Sequence, residues 1–221
     1  MTTDRRIALT AGLFYLATFA TSFPALALKT AYLSGTATAA TAAWGAVLEI
    51  MLAATCVATA VVLYPVTRRV SETLALSFVI SRTVEAVMIL SGVLALMAVT
   101  TVRAANAAGI EGLVALHDWA FLLGPAVMSA VNGLLLGTIM LRGRLVPRVI
   151  PTVGLIGAPL LLASSVGVLF GAWTQTSPVG VLSALLIAAW ELALGLWLTF
   201  KGFRTDAVTP AIAAPDAVRA D

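Results

Sequence analysis

Cysteine and histidine each occur once in this 221-residue chain, and only 10% of its residues are charged. Each scarcity removes a class of protein. A lone Cys56 forms no internal disulfide, and a thiol in the middle of an apolar run behaves as a small hydrophobe. A lone His117 supplies neither a three-histidine zinc site nor a bis-histidine haem within one chain. The HExxH helix, the Walker phosphate loop and the GxSxG elbow are all missing. No cofactor is therefore expected, and the metal site left open is a carboxylate-rich one from Glu49, Glu85, Asp118, Glu191 and His117, which the positive charge of Arg82 opposes. Soluble domains carry about 25% charged residues, so the low charge excludes an ordinary soluble globule.

What is present is apolar sequence in long runs. Hydrophobic residues make up 61% of the chain, and they gather in stretches near the ~20 residues that cross a bilayer. Six such segments are predicted, at residues 7–28, 44–66, 73–100, 118–141, 149–171 and 179–200. A spanning segment must satisfy its own backbone hydrogen bonds, so each is a helix. A β-barrel would show ten-residue alternation, and these runs do not alternate. The expected fold is all-α, a six-transmembrane-helix bundle over residues 1–203. The Ala- and Pro-rich tail at 204–221 is expected to be disordered.

The net charge of +3 could suggest a nucleic-acid partner, but the basic residues cluster at segment ends, which reports topology instead. Arg5, Arg6, Arg68, Arg69, Arg142, Arg144, Arg148, Lys201, Arg204 and Arg219 fall on one side, and only Lys29 and Arg103 on the other. That bias places both termini in the cytoplasm. Trp44, Trp119 and Trp173 fall at the outer ends, as an aromatic belt would. Two outer loops are expected to be long, at 29–43 and 101–117, the second carrying a short surface helix at 104–116. Arg5-Arg6, an apolar run and Ala25-Leu26-Ala27 have the layout of a signal peptide. The run is long for a signal and Phe23-Pro24 interrupts it, which favours a retained span. A short echo links Thr10-Ala-Gly-Leu with Thr152-Val-Gly-Leu, and Trp44 and Glu49 with Trp190-Glu191.

Ionisable residues inside or at the mouth of these spans are the candidate site: Glu49, Arg82, Glu85, His117, Asp118 and Glu191. Such groups cost several kcal/mol in a bilayer unless paired, hydrated or neutralised. Arg82 and Glu191 lie near the midplane by residue count, Glu85 is a turn further outward, and Glu49 sits a short way below Trp44. The polar cluster thus falls between the midplane and the outer surface. Four acids face one fixed cation, so protonation, a bound cation or water must balance them.

Several readings stay open. Arg82 and Glu85 can pair along one helix and fix its packing. Asp118 before an apolar run can cap a helix. His117 and Asp118 can also serve as general acid and base toward a lipid-like substrate, though no nucleophile accompanies them. Gly133/Gly137 and Gly167/Gly171 have the small-xxx-small spacing of close helix contacts, and Asn132 needs an interhelical partner. Pro24, Pro125, Pro151 and Pro159 should kink or open helices near the polar layer.

The runs Arg82-Thr-Val-Glu85, Leu116-His-Asp-Trp-Ala-Phe-Leu-Leu-Gly-Pro125, Arg144-Leu-Val-Pro-Arg148 and Trp190-Glu191 with Lys201-Gly-Phe203 resemble a bacterial membrane family called domain of unknown function 4386. The likeness covers most of residues 6–203. It implies a multi-pass protein of a bacterial inner membrane and no particular activity. The excess of carboxylate points to a site for a small cation, proton or polar amine, in a protein that binds or transports it. The alternatives are a structural or accessory subunit and a membrane enzyme. The lipid bilayer is the one certain partner.

Overall fold

The computed structural model describes residues 2–105 and 107–204. Arg219 and the tail expected to be disordered lie outside the described residues, apart from Arg204. Helix α1 spans Thr3–Leu33, α2 Ala39–Thr67 and α3 Glu72–Ala104. Helix α4 spans Ile110–Phe121 and passes through a π-helical stretch, Leu122–Met128, into α5, Ser129–Arg142. Helices α6 and α7 span Val149–Leu169 and Pro178–Phe200. With α4 and α5 counted as one continuous rod, six helices are long and apolar enough to cross a membrane. The chain is an all-α, multi-pass membrane protein.

Local chemistry explains the ends. Thr2, Ser71 and Ser177 stand at N-caps, and each side chain accepts from a backbone N–H in the first turn. Pro178 follows Ser177 at the first helical position, where its missing N–H costs nothing. Gly109, with φ of 103°, turns the chain into α4.

The helices run well past the apolar windows of the sequence. Helix α3 has 33 residues, about 50 Å at 1.5 Å per residue, against a ~30 Å hydrocarbon core. The separate surface helix expected at 104–116 does not exist. Helix α3 ends at Ala104, and α4 begins at Ile110 and continues into its span. The long loop expected at 29–43 shrinks to residues 34–38. Alanine-rich flanks such as Ala39-Ala40-Thr41-Ala42 have helix propensity of their own, which a hydropathy window does not register.

The helices close a ring in chain order: α1 packs on α2, α2 on α3, α3 on the α4–α5 rod, α5 on α6, α6 on α7 and α7 back on α1. Six crossings return the chain to one face, so α1 begins and α7 ends on the same, basic, face. There Arg5 donates to the carbonyls of Leu198 and Thr199 at 2.8 and 2.6 Å, capping the end of α7.

Small residues set the helix spacing. A Cβ on Gly12 would lie 2.6 Å from the Thr199 backbone nitrogen, and one on Gly154 would lie 2.6 Å from the Trp190 ring. The two glycines of the sequence echo are thus both contact points against α7. Gly133 and Gly137 bring α5 against α6 and α7, where added Cβ atoms would meet Ile187 at 3.2 Å and Leu155 at 3.1 Å. Gly167 and Gly171 do not pair helices. Gly167 accommodates the ring of Trp173 in the following loop, and Gly171 takes φ of 71° after the helix end. Pro24 and Pro159 sit inside unbroken helices, whereas Pro125 lies in the π-helical stretch, where the lost N–H is absorbed by a widened turn.

Gly12→Ala should destabilise the bundle by about 1–3 kcal/mol, because the backbone of α7 must move. Gly112→Ala, a helical site whose Cβ would meet nothing within 4 Å, serves as the control for helix propensity and should not destabilise. Equilibrium unfolding in mixed micelles compares them, and equal stability of the two variants would refute the close α1–α7 crossing.

Candidate functional site

Each helix carries an inward stripe of buried residues at three- and four-residue spacing, and the charges interrupt those stripes. On α3 the stripe reads Ala75, Phe78, Arg82, Glu85, Ile89. On α2 it reads Ala42, Ala46, Glu49, Ala53, Cys56. On α1 it reads Ala25, Lys29, Tyr32. Lys29 is 2% exposed, so it belongs to the interior and not to the surface charge that topology counting made it.

Two charged levels result. At the lower level the Arg82 guanidinium bridges α3 to α7. Its Nη1 donates to Glu85 Oε2 at 2.7 Å and its Nη2 to Glu191 Oε1 at 3.3 Å. Tyr15 and Phe78 place their rings 5.4 and 6.0 Å from the guanidinium carbon, within reach of a cation–π attraction. Glu85 is saturated: Ser129 Oγ donates to Oε1 at 2.9 Å, and Asn132 Nδ2 donates to Oε2 at 2.7 Å. Asn132 therefore is the interhelical tie its position suggested, joining α5 to α3. Glu191 has a single partner among the described residues, at 3.3 Å, and its side chain is 15% exposed. It is the least constrained carboxylate of the cluster.

The upper level lies toward the opposite face. Glu49 is seven residues before Cys56 on α2, about 10 Å along the helix, and Cys56 Sγ is 3.8 Å from Arg82 Nη1. Here the Lys29 ammonium is bonded to Glu49 and lies 4.4 Å from the centre of the Phe121 ring. The pair is closed on itself and covered by an aromatic face.

A cavity of about 250 Å³ connects the two levels. Lys29 and Glu49 line one end, and Arg82, Glu85 and Glu191 the other. Its walls come from α1, α7 and the π-helical stretch, whose widened turn sets Pro125 and Ala126 along it. Three carboxylates stand against two cations, so one carboxylate has no cation to match it. The imbalance expected from four acids and one fixed cation is smaller in the structure, because Lys29 turns inward and Asp118 does not.

Asp118 is 60% exposed, and His117 Nδ1 lies 3.1 Å from its Oδ1. Asp118 is not an N-cap, since α4 begins eight residues earlier. Neither residue lines the 250 Å³ cavity. His117 is buried, its Nε2 has no hydrogen-bond partner among the described residues, and it faces a separate space of about 10 Å³ shared with Lys29 and Glu49. That volume suits about one water molecule. Among the described residues, no three His, Cys, Asp or Glu side chains stand together as metal ligands. The site residues therefore divide. Arg82, Glu85, Glu191 and Glu49 meet in one cavity, and His117 and Asp118 stand apart from it. Lys29, Tyr15 and Ser129 join the cluster without having been marked. For Lys29 the signal was its helical phase with Ala25 and Tyr32.

A family model described as Domain of unknown function (DUF4386) matches residues 10–202, and the chain belongs to that family. No curated protein and no solved structure matches the chain.

Buried pairs make a sharp energetic prediction. Lys29→Met or Glu49→Leu alone strands an uncompensated charge and should cost about 3–5 kcal/mol. The double variant removes both charges and should lie closer to the parent than either single variant. A double-mutant cycle in unfolding free energy tests this, and additive losses would contradict the pairing.

Proposed function

We propose that this member of the DUF4386 family binds a small cation or amine-bearing molecule in its membrane-embedded cavity, with transport as the activity that binding serves. The observation that carries the reading is Glu191. It is a carboxylate on the cavity wall with one 3.3 Å partner among the described residues, in a cluster with one more carboxylate than it has cations. An ammonium at Glu191 neutralises that excess where hydrocarbon would otherwise surround it. Arg82 positions Glu191 from the side, and Glu85 holds Arg82. We read the basic face as the cytoplasmic side of a bacterial inner membrane, following the distribution of Lys and Arg.

One observation favours a second reading. Glu85 has three donors and Glu49 is closed by Lys29, so much of the polar network holds helices together. On that reading the whole cluster is structural, and the protein is an accessory subunit. An enzymatic role for His117 and Asp118 draws no comparable support, since neither reaches the cavity.

Thermal unfolding of the purified protein with ammonium, ethylamine, putrescine or choline distinguishes the two readings. A ligand at 100 times its dissociation constant stabilises the folded state by about 2.7 kcal/mol. At least one amine should raise the melting temperature, and Glu191→Gln should abolish the rise. No response to any amine, with Glu191→Gln lowering stability alone, favours the structural reading.

A further inference from the structure

Access to the cavity differs between its sides. Toward the face opposite the basic one, the Lys29–Glu49 pair closes it. Both residues are buried, and the ammonium lies against the Phe121 ring. Toward the basic face, α1 and α7 cross in backbone contact. A Cβ on Gly195 would lie 2.9 Å from that of Tyr15, and one on Gly12 would lie 2.8 Å from the Gly195 carbonyl oxygen. Between these closures α1 and α7 both line the cavity, α1 through Phe19 and Phe23, α7 through Ala184 and Ala188.

The rim of that side opening is apolar. Phe23 is 59% and Leu26 41% exposed, and Ala184 is exposed across from them. Next to Ala184, Leu182 and Leu185 are 65% and 56% exposed on a helix apolar enough to span the membrane. Such a surface faces lipid tails, not water. The charged groups sit only on the inner wall and at the far end. The volume matters as well. At about 250 Å³ the cavity is below the ~300–1,000 Å³ that encloses a drug-sized ligand. It takes a head group and a few carbons, and anything longer must lie in the opening.

We propose that the ligand is an amphipathic amine with a single long alkyl chain, which enters sideways from the bilayer between α1 and α7. This rests on the reading of Glu191 as the ammonium partner. The head group meets Glu191, the first methylenes fill the space beside Phe19 and Ile187, and the tail leaves past Phe23 and Ala184 into the hydrocarbon. A short water-soluble amine reaches Glu191 by the same opening but leaves its apolar rim unfilled, and so binds more weakly.

The test uses dodecylamine and ethylamine, which share a head group. Binding to the protein in lipid nanodiscs is measured calorimetrically, with empty nanodiscs correcting for partition into lipid. Ala184→Trp fills the opening, and Leu182→Trp places the same ring on the lipid face of α7 away from the cavity. Dodecylamine should bind the parent at least about tenfold more tightly than ethylamine after correction. Ala184→Trp should weaken dodecylamine by about tenfold or more, while Leu182→Trp leaves it unchanged and Glu191→Gln removes it. Ethylamine binding as tightly as dodecylamine, or dodecylamine indifferent to Ala184→Trp, overturns sideways entry while leaving Glu191 as a cation site. Binding of neither amine, or equal binding in Glu191→Gln, overturns the Glu191 reading and this inference with it.

Discussion

Charge in hydrocarbon must be neutralised on the spot, and the interior of this bundle is organised around that requirement. Arg82 meets it by touching helices on three sides: Glu85 on its own helix, Glu191 on α7 and the Tyr15 ring on α1. Removing it would leave two carboxylates facing one another. Ser129 and Asn132 then extend the same network to the α4–α5 rod. With Cys56 of α2 also 3.8 Å from its Nη1, one guanidinium thus ties five of the six crossings together. Buried pairs of this kind add little net stability over apolar packing. What they set here is register, because hydrogen bonds of 2.7–2.9 Å fail when a helix slides by a turn.

The second pair, Lys29–Glu49, repeats the solution about 10 Å further along α2. Between the two levels the packing opens. Glycines draw α7 against α1 and α6 on the basic-face side, and the π-helical stretch around Pro125 widens the rod where it passes the cavity. Close contact at one end and a widened turn at the other leave the space that Glu191 lines. A bundle built only for packing has no need of a carboxylate with a single partner on the wall of a cavity. That asymmetry between Glu85, with three donors, and Glu191, with one, is what the proposed binding role rests on.

Much of this was legible in the sequence. Six apolar runs, and the depth of Arg82, Glu85 and Glu191, follow from residue counts along a 1.5 Å rise. Asn132 announced a partner because a bare amide in a span is costly. Other features were hidden for physical reasons. Lys29 looked like a topology signal, since a lysine near a helix end ordinarily snorkels to the interface. Only the phase of its neighbours shows that it points inward. Asp118 looked like an N-cap because Glu111, Gly112 and His117 interrupt the apolar run before it, whereas the helix begins at Ile110 and carries all of them inside it. The three donors to Glu85 come from two helices, Arg82 on its own and Ser129 and Asn132 on α5, and no single run of residues encodes that meeting.

The most direct measurement is an experimental structure of the protein in nanodiscs equilibrated with a long-chain amine. Density for an ammonium is expected within hydrogen-bond distance of Glu191, with chain density leaving between Phe23 and Ala184. A closed α1–α7 contact along its whole length, with both Glu191 oxygens bonded to Arg82 and no ligand density, would contradict that expectation.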